Sequence, residues 1–322
     1  MINVPSHIEV INPTDKAHWL NMRMQDVTST DCAALFGLSP YRTAFELWHE
    51  KAAGVAESFA PNERMLWGNR LESAVAYGIA EDEGWQVEPL KAYMRDPAAR
   101  LGSSFDFAVD HPTKGPGLLE IKVVDAMIYR NAWRDDGAGN IEAPEHIELQ
   151  LQHQLAVTGF EWGAIGALVG GNSTKVVLRE RDEAIGNAIR VKVAQFWDSI
   201  QTKTPPPIDY VRDADMIAQL YASANADEVL DVTGDANIES MVRLYQQLGA
   251  DIDQREDQRK AIKAQLLELA GTAGKVVGSW GSIAMTRTKD SPGKPITADM
   301  VGTLLGGRTG YRQFRVNIKD KA

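Results

Sequence analysis

The segment GLLEIK, residues 117–122, sets an acid and a lysine two residues apart at the end of an apolar run. In a strand, residues i and i+2 point the same way, so Glu120 and Lys122 share one face and Ile121 takes the other. Fourteen residues before Glu120, Asp106 sits in SSFDFAVD, also near a strand end. Two carboxylates on neighbouring strands that open to one edge make a hard oxygen site. Magnesium suits such a site, taking one or two protein carboxylates and filling its shell with water and substrate phosphate. The backbone carbonyl of Ile121 could reach the same ion. A lysine alongside would orient an attacking water or offset charge developing on a phosphate. Read alone, Glu120 and Lys122 fit a surface ion pair as well, and Asp106 fits a turn.

The elements that must position these residues are readable from spacing and punctuation. TDKAHWLNMRMQ, residues 14–25, begins with helix-capping chemistry, and a second helix starts at the Ser-Thr-Asp cluster 29–31 and stops at GLSPY. TAFELWHEKAAG and ERMLWGNRLESAVAYGIAEDEG read as two more helices. WQVEPLKAYMRD, LGSSFDFAVDH and GPGLLEIKVV are β-rich runs parted by turn residues. HIELQLQHQLAVTG then reads as a helix, EWGAIGALVGG and STKVVLRERD as strands, and DEAIGNAIRVKVAQFWDSI as an amphipathic helix. This order predicts a mixed α/β core with an N-terminal helical layer.

The three prolines in QTKTPPPIDY, 201–210, mark a boundary, giving a first domain over 1–205 and an extension over 206–322. Within the extension, Ile238, Met241, Leu244, Leu248 and Ile252 follow a 3–4 spacing that Ile262, Leu266 and Leu269 resume. That predicts a long helix or a helical hairpin hinged near Gly249. VVGSWGSIAMTRTK and YRQFRVNIK read as strands, and from 286 onward eight Lys or Arg face three Asp or Glu.

Composition is that of a globular protein: 322 residues, 44% hydrophobic and 24% charged, with a net charge of −10. The single cysteine, Cys32, excludes an internal disulfide and a thiolate zinc site, and with no leader-like N-terminus or long apolar run it points to the cytoplasm. The acidic balance argues against a large nucleic-acid surface but not against a local basic path. GTAGK lacks Walker spacing, GALVGG is not a dinucleotide fingerprint, and His49-Glu50 lacks the second histidine of a zincin helix.

Asp106 followed by Glu120-Ile121-Lys122 resembles the D…(D/E)xK signature of the PD-(D/E)xK nuclease superfamily. Three further segments sharpen the resemblance. WGNRLE, 67–72, is similar to the WGxxxE segment of phage lambda exonuclease and the YqaJ-like viral recombinases, with Glu72 as the helix-borne acid. QLQHQL, 150–155, is similar to that family's glutamine motif, with Gln152 at the active-site glutamine. RMQDVTSTDCAALFGLSPY matches its N-terminal pattern, aligning Arg23 and Thr30 with the residues that hold a 5′ phosphate. The likeness spans roughly residues 15–200; Phe105 stands where the superfamily usually has proline.

The resemblance implies a restriction-endonuclease-like mixed β-sheet core flanked by helices. It implies a Mg²⁺-dependent alkaline exonuclease, with Mn²⁺ as a substitute and two ions per site. Such an enzyme degrades one strand of linear duplex DNA from the 5′ end and leaves 3′ single-stranded tails for recombination. In it, Asp106, Glu120 and the Ile121 carbonyl hold metal, Glu72 holds a second ion or its water, Lys122 and Gln152 position the nucleophile, and Arg23 with Thr30 clamps the terminal phosphate. It further implies a homotrimeric ring on DNA and a single-strand annealing partner of the Redβ or RecT kind. An endonuclease on the same core, and a catalytically silent DNA-binding protein, are the competing readings. From sequence alone Glu72 also fits a solvated helix face, Arg23 a pair with Asp26 or Asp31, and Thr30 a helix cap.

Overall fold

The computed structural model describes residues 4–54, 62–223 and 228–287. Two compact units are present, Met1–Gln219 and Leu220–Ala322.

The first unit opens with β1 (Glu9–Ile11), α1 (Lys16–Gln25), β2 (Val27–Thr28), α2 (Ser29–Leu35), α3 (Ala44–Ala53) and α4 (Glu63–Glu83). β3 (Gln86–Pro89), β4 (Tyr93–Asp96), β5 (Leu101–Ser103), β6 (Phe107–His111) and β7 (Gly115–Val124) follow. After α5 (Ala126–Ala132) come β8 (Arg134–Asp135), β9 (Ile141–Glu142), α6 (Glu145–Thr158), β10 (Trp162–Val169), β11 (Ser173–Glu180) and α7 (Glu183–Gln201). The helix starts are chemically marked. Asp15 accepts from the His18 amide at 2.8 Å, and Thr28 with Asp31, like Thr43 with Glu46, forms a reciprocal capping box.

The main sheet has the order β11-β10-β7-β6-β3. β7 runs parallel to β10, pairing Glu120 with Ile165, and antiparallel to β6, pairing Leu119 with Phe107. This is the mixed sheet flanked by helices that the motifs imply. Its two faces carry separate apolar clusters. One joins Leu118 and Val124 of β7 to α2, α6 and α7; the other joins Leu119 and Ile121 to Val75, Ala76 and Ile79 of α4. A strand buried on both faces is apolar at nearly every position, which explains the run GLLEI. Each fully buried side chain of this kind, such as Ile79 or Leu119, contributes about 1.5–3 kcal/mol.

The run WQVEPLKAYMRD does not stay in one sheet. β3 edges the main sheet, while β4 enters a second one of order β1-β4-β5-β2. That small sheet is tied to α1 by a buried ion pair. Arg95 grips both oxygens of Asp26, from Nε at 2.9 Å and Nη2 at 2.8 Å, and Tyr93 Oη donates to the same carboxylate at 3.0 Å.

The first unit extends to Gln219, past the boundary expected at residue 205. The chain after the prolines is pinned to it: Arg212 Nη2 donates to Ser39 O at 2.7 Å, and the fully buried Asp213 accepts from Thr43 Oγ1 and, at 2.7 Å, from the Asp209 amide. A proline run stiffens a chain but does not release it when the next residues find buried partners.

The first unit ends within α8 (Ala214–Leu220), and the second unit holds α9 (Ala236–Ala270), β12 (Lys275–Gly278) and β13 (Gly281–Ala284). α9 is one continuous helix with no hinge at Gly249, and β12 pairs antiparallel with β13. The expected strand YRQFRVNIK lies outside the described residues. Among the described residues no helix is long and apolar enough to cross a membrane.

Gly102 on β5 has no room for a side chain: a Cβ there would lie 2.0 Å from Tyr93 Oη and 2.6 Å from Asp26 Oδ2. Gly102→Ala is expected to cost about 1–3 kcal/mol through overpacking at the Asp26–Arg95 pair, read as a lowered denaturant midpoint with unchanged slope. An unchanged midpoint would show that this contact does not hold the small sheet in place.

Candidate active site

β7 delivers Glu120 and Lys122 to the face that looks onto α6. Glu120 is 4% exposed, and both its oxygens are occupied. Lys122 Nζ and Gln150 Nε2 bond to Oε1, the latter at 2.6 Å, and Gln154 Nε2 donates to Oε2 at 2.7 Å. A buried carboxylate is costly unless paired and hydrogen-bonded, and this one is both.

Asp106 precedes β6, and its Oδ2 accepts from the Ile121 amide at 2.7 Å. Burial comes first in raising its pKa well above the usual carboxylate range; Glu120 and Glu72 add to the rise, and Lys122 and the Ile121 amide oppose it. Glu72 on α4 is raised by burial and then by Glu120, again against Lys122. The mutual shifts show that Glu72, Asp106 and Glu120 share one electrostatic neighbourhood although they come from a helix, a turn and a strand. Burial works to lower the Lys122 pKa, but Glu120 and Asp106 outweigh it and hold the ammonium charged. Three carboxylates against one lysine leave an excess of negative charge when ionised.

That excess fits a hard divalent cation, and the donors are of the right oxygen type. Among the described residues no three His, Cys, Asp or Glu side chains are arranged to hold one ion. Glu120 accepts two bonds at Oε1 and one at Oε2, so its carboxylate keeps acceptor capacity for a cation.

Gln152, expected at the catalytic position, is not there. Its Nε2 donates to Glu180 O at 2.8 Å and its Oε1 accepts from the Asp182 amide at 2.9 Å, so it fastens α6 to the end of β11. On a helix, residues four apart share a face and residues two apart do not. Hence Gln150 and Gln154 reach Glu120 together and Gln152 turns away. The Q-x-Q-x-Q spacing carried this signal, and helical phase decides which glutamines count.

Arg23 and Thr30 are brought together. Arg23 Nη2 donates to Thr30 Oγ1 at 3.2 Å, with the guanidinium 4.7 Å over the Trp19 ring. Thr30 is exposed, and the helix is capped instead by Thr28, whose hydroxyl lies 3.0 Å from Thr30 Oγ1. Beneath them the buried Asp31 meets Lys51 Nζ at 3.2 Å and Arg42 Nη1 at 3.0 Å. Burial would raise the Asp31 pKa, but Lys51, Arg23 and Arg42 hold it far below the carboxylate range. Arg42 is shared between Asp31 and Glu50, and Lys51 is held by Asp31, whereas Arg23 bonds to the Thr30 hydroxyl. This corner connects to the carboxylates through Ser104: Trp19 Nε1 donates to Ser104 Oγ at 2.8 Å, and Gln154 Nε2 reaches Ser104 O at 3.3 Å.

Two residues not singled out by sequence also border the site. Tyr41, 84% exposed, packs edge-on against His146 of α6 with ring centroids 5.9 Å apart. Burial and then the Lys122 charge lower the His146 pKa, which places its ring beside the lysine.

Residues 18–161, which include Arg23, Thr30, Glu72, Asp106, Glu120 and Lys122, match the YqaJ-like viral recombinase domain. The chain is 29% identical over 254 residues to the uncharacterized protein YqaJ of Bacillus subtilis (strain 168), covering 77% of this chain and 76% of that protein. Among solved structures, it is similar to the alkaline exonuclease LHK-Exo from Laribacter hongkongensis, with a TM-score of 0.47 and 20% identity over 63% of this chain and 100% of that one. It is also similar to a phage-related exonuclease from Haemophilus somnus 129PT, with a TM-score of 0.41 and 13% identity over 57% of this chain and 99% of that one. Over residues 18–161, the segment that holds all of these motifs, the chain is similar to the YqaJ-like viral recombinase domain.

Proposed function

We propose that this chain is a metal-dependent deoxyribonuclease that removes nucleotides from 5′ ends of linear duplex DNA, leaving 3′ single-stranded tails for recombination. The observation that carries the reading is the convergence of Glu72, Asp106 and Glu120 on one lysine, with the half-buried Arg23 bonded to the exposed Thr30 nearby.

In this reading Asp106, Glu120 and the Ile121 carbonyl hold Mg²⁺, or Mn²⁺ in its place, and Glu72 holds a second ion or its water. When bound, the ions supply Lewis-acid polarisation of the phosphoryl group and a more acidic water. Lys122, kept charged by its neighbours, orients the attacking water and balances the negative charge that grows on the phosphate. Gln150 and Gln154 hold the Glu120 carboxylate in place. Arg23 and Thr30 bind the terminal 5′ phosphate through charge-assisted hydrogen bonds, which favours ends over internal sites. A homotrimer around DNA and a single-strand annealing protein as partner complete the proposal; they are supported by the family resemblance.

Digestion of linear duplexes with Mg²⁺ tests the reading, comparing 5′-phosphate with 5′-hydroxyl ends and with a covalently closed circle. Asp106→Ala and Glu120→Ala are expected to lower the rate about 10³-fold or more. Arg23→Ala is expected to erase an end preference of about 10–100-fold, the worth of a charge-assisted bond. Cutting of the circle would replace the exonuclease with an endonuclease, and no digestion with either metal would leave a silent DNA-binding protein.

The glutamines separate by role. Gln150→Ala and Gln154→Ala are expected to lower kcat together with the melting temperature, because each leaves the buried Glu120 carboxylate short of a donor. Gln152→Ala is expected to lower the melting temperature and spare kcat, and the opposite pattern would restore Gln152 to the catalytic set.

The raised Asp106 pKa sets a pH dependence. A carboxyl raised on folding stabilises the protein below its ordinary range, and that stability is lost as pH rises through the raised value. A divalent cation takes the place of the proton. The melting-temperature gain from Mg²⁺ is therefore expected to be larger at pH 8.5 than at pH 6, to vanish with chelator, and to flatten in Asp106→Asn. A gain independent of pH would remove Asp106 from the cation site.

A further inference from the structure

The second unit carries a surface that the catalytic reading does not use. Along α9, positions 238, 241, 245, 248, 252, 255, 259, 262, 266 and 269 step by three and four in strict alternation. This is a heptad seam of period 3.5, sustained for more than four heptads. Eight of the ten positions are apolar or aromatic, and two adjacent central ones are Arg255 and Arg259. The seam is open to solvent: Met241, Leu248, Ile252, Ile262 and Leu269 are 52% to 77% exposed. The helix is 35 residues long, about 52 Å at 1.5 Å per residue. A helix gains most of its stability by packing an amphipathic face, and an exposed stripe of this length marks a contact surface.

The charges at its centre say what covers it. Arg255 and Arg259 occupy seam positions, while Asp251 and Glu256 flank the seam on its two sides. These four line one shallow groove together with Leu248 and Ile252. Asp251 and Arg255 stand at the i, i+4 spacing that favours an intrahelical pair, yet Arg255 Nη1 bonds instead to Gln258 Oε1 at 3.4 Å. Among the described residues, Asp251, Glu256 and Arg259 make no ion pair. Two cations in the seam and two acids on its rim form a self-complementary set. A second helix of the same sequence brings acids to the arginines and arginines to the acids, whereas a purely apolar partner would bury both arginines unpaired at a cost of several kcal/mol per charge.

We propose that α9 is a coiled-coil segment that pairs with α9 of a second copy of this chain, and that the Arg255–Arg259 layers fix its register through Asp251 and Glu256 of the other copy. A polar layer in an apolar seam lowers stability and specifies alignment. The interface stands apart from any assembly built by the first unit and does not depend on the nuclease reading.

Hydrogen exchange over residues 236–270 of the full chain tests this. In the wild type, seam amides are expected to exchange at least about tenfold more slowly than in Leu248→Glu/Ile262→Glu, whereas Ala250→Glu/Ala264→Glu on the opposite face keeps the protection. Arg255→Glu/Arg259→Glu and Asp251→Lys/Glu256→Lys should each lose protection alone and regain it when mixed one to one. Recovery on mixing requires two chains. Fast exchange in the wild type would make α9 a solvated helix and overturn the proposal. Protection that survives in either charge variant, or fails to return on mixing, would assign the seam to another occupant and overturn it as well.

Discussion

The carboxylate of Glu120 is the constraint around which the first unit is arranged. It lies almost wholly buried on the central strand, where its oxygens need bonded partners. Lys122, Gln150 and Gln154 supply them. Satisfying both oxygens requires α6 to lie across β7 with one helical face inward, and that docking in turn buries Leu151 and Leu155. Loss of one donor would leave a buried charge short of a bond, an expense comparable to a substantial share of a domain's net stability. Packing and chemistry are therefore not separable at this point of the fold.

Two charged clusters flank that carboxylate. On one side Glu120 raises both Glu72 and Asp106 after burial, and Glu72 adds to the rise at Asp106. On the other, Arg23, Arg42 and Lys51 gather around the buried Asp31, with Arg42 shared with Glu50. Trp19 and Ser104 bridge the two through hydrogen bonds without adding charge. The acidic total of the chain does not fix the sign of the field at any one edge, because field is set locally.

Much of this was legible in the sequence. Strand alternation placed Glu120 and Lys122 on one face, capping residues marked the helix starts, and the two-faced apolar run announced a central strand. What was not legible depended on phase or on distant partners. Gln152 stood in the middle of a glutamine motif, and only the rotation of α6 shows that its neighbours on either side face the site. WQVEPLKAYMRD had strand composition throughout, but composition does not say that the chain leaves one sheet at Leu90 for another. Gly249 offered a hinge, yet one glycine costs a long helix only about 1 kcal/mol and does not break it. Tyr41 ends the GLSPY segment without being marked for chemistry and His146 carries no motif; they border the site because α6 and the loop before α3 meet there.

That loop, residues 39–43, has an anchor far away in sequence. Asp213 and Arg212 bind Thr43, Ser39 and Arg42 from beyond the proline run. The loop presents Tyr41 towards His146 and Arg42 to Asp31. Domain dissection must therefore respect a tether that lies outside the family-matched segment. A chain ending at residue 205 would lose the clasp on this loop, so its behaviour would report on the rim of the candidate site as well as on the missing extension. A cut after Gln219 keeps the clasp and asks about the second unit alone.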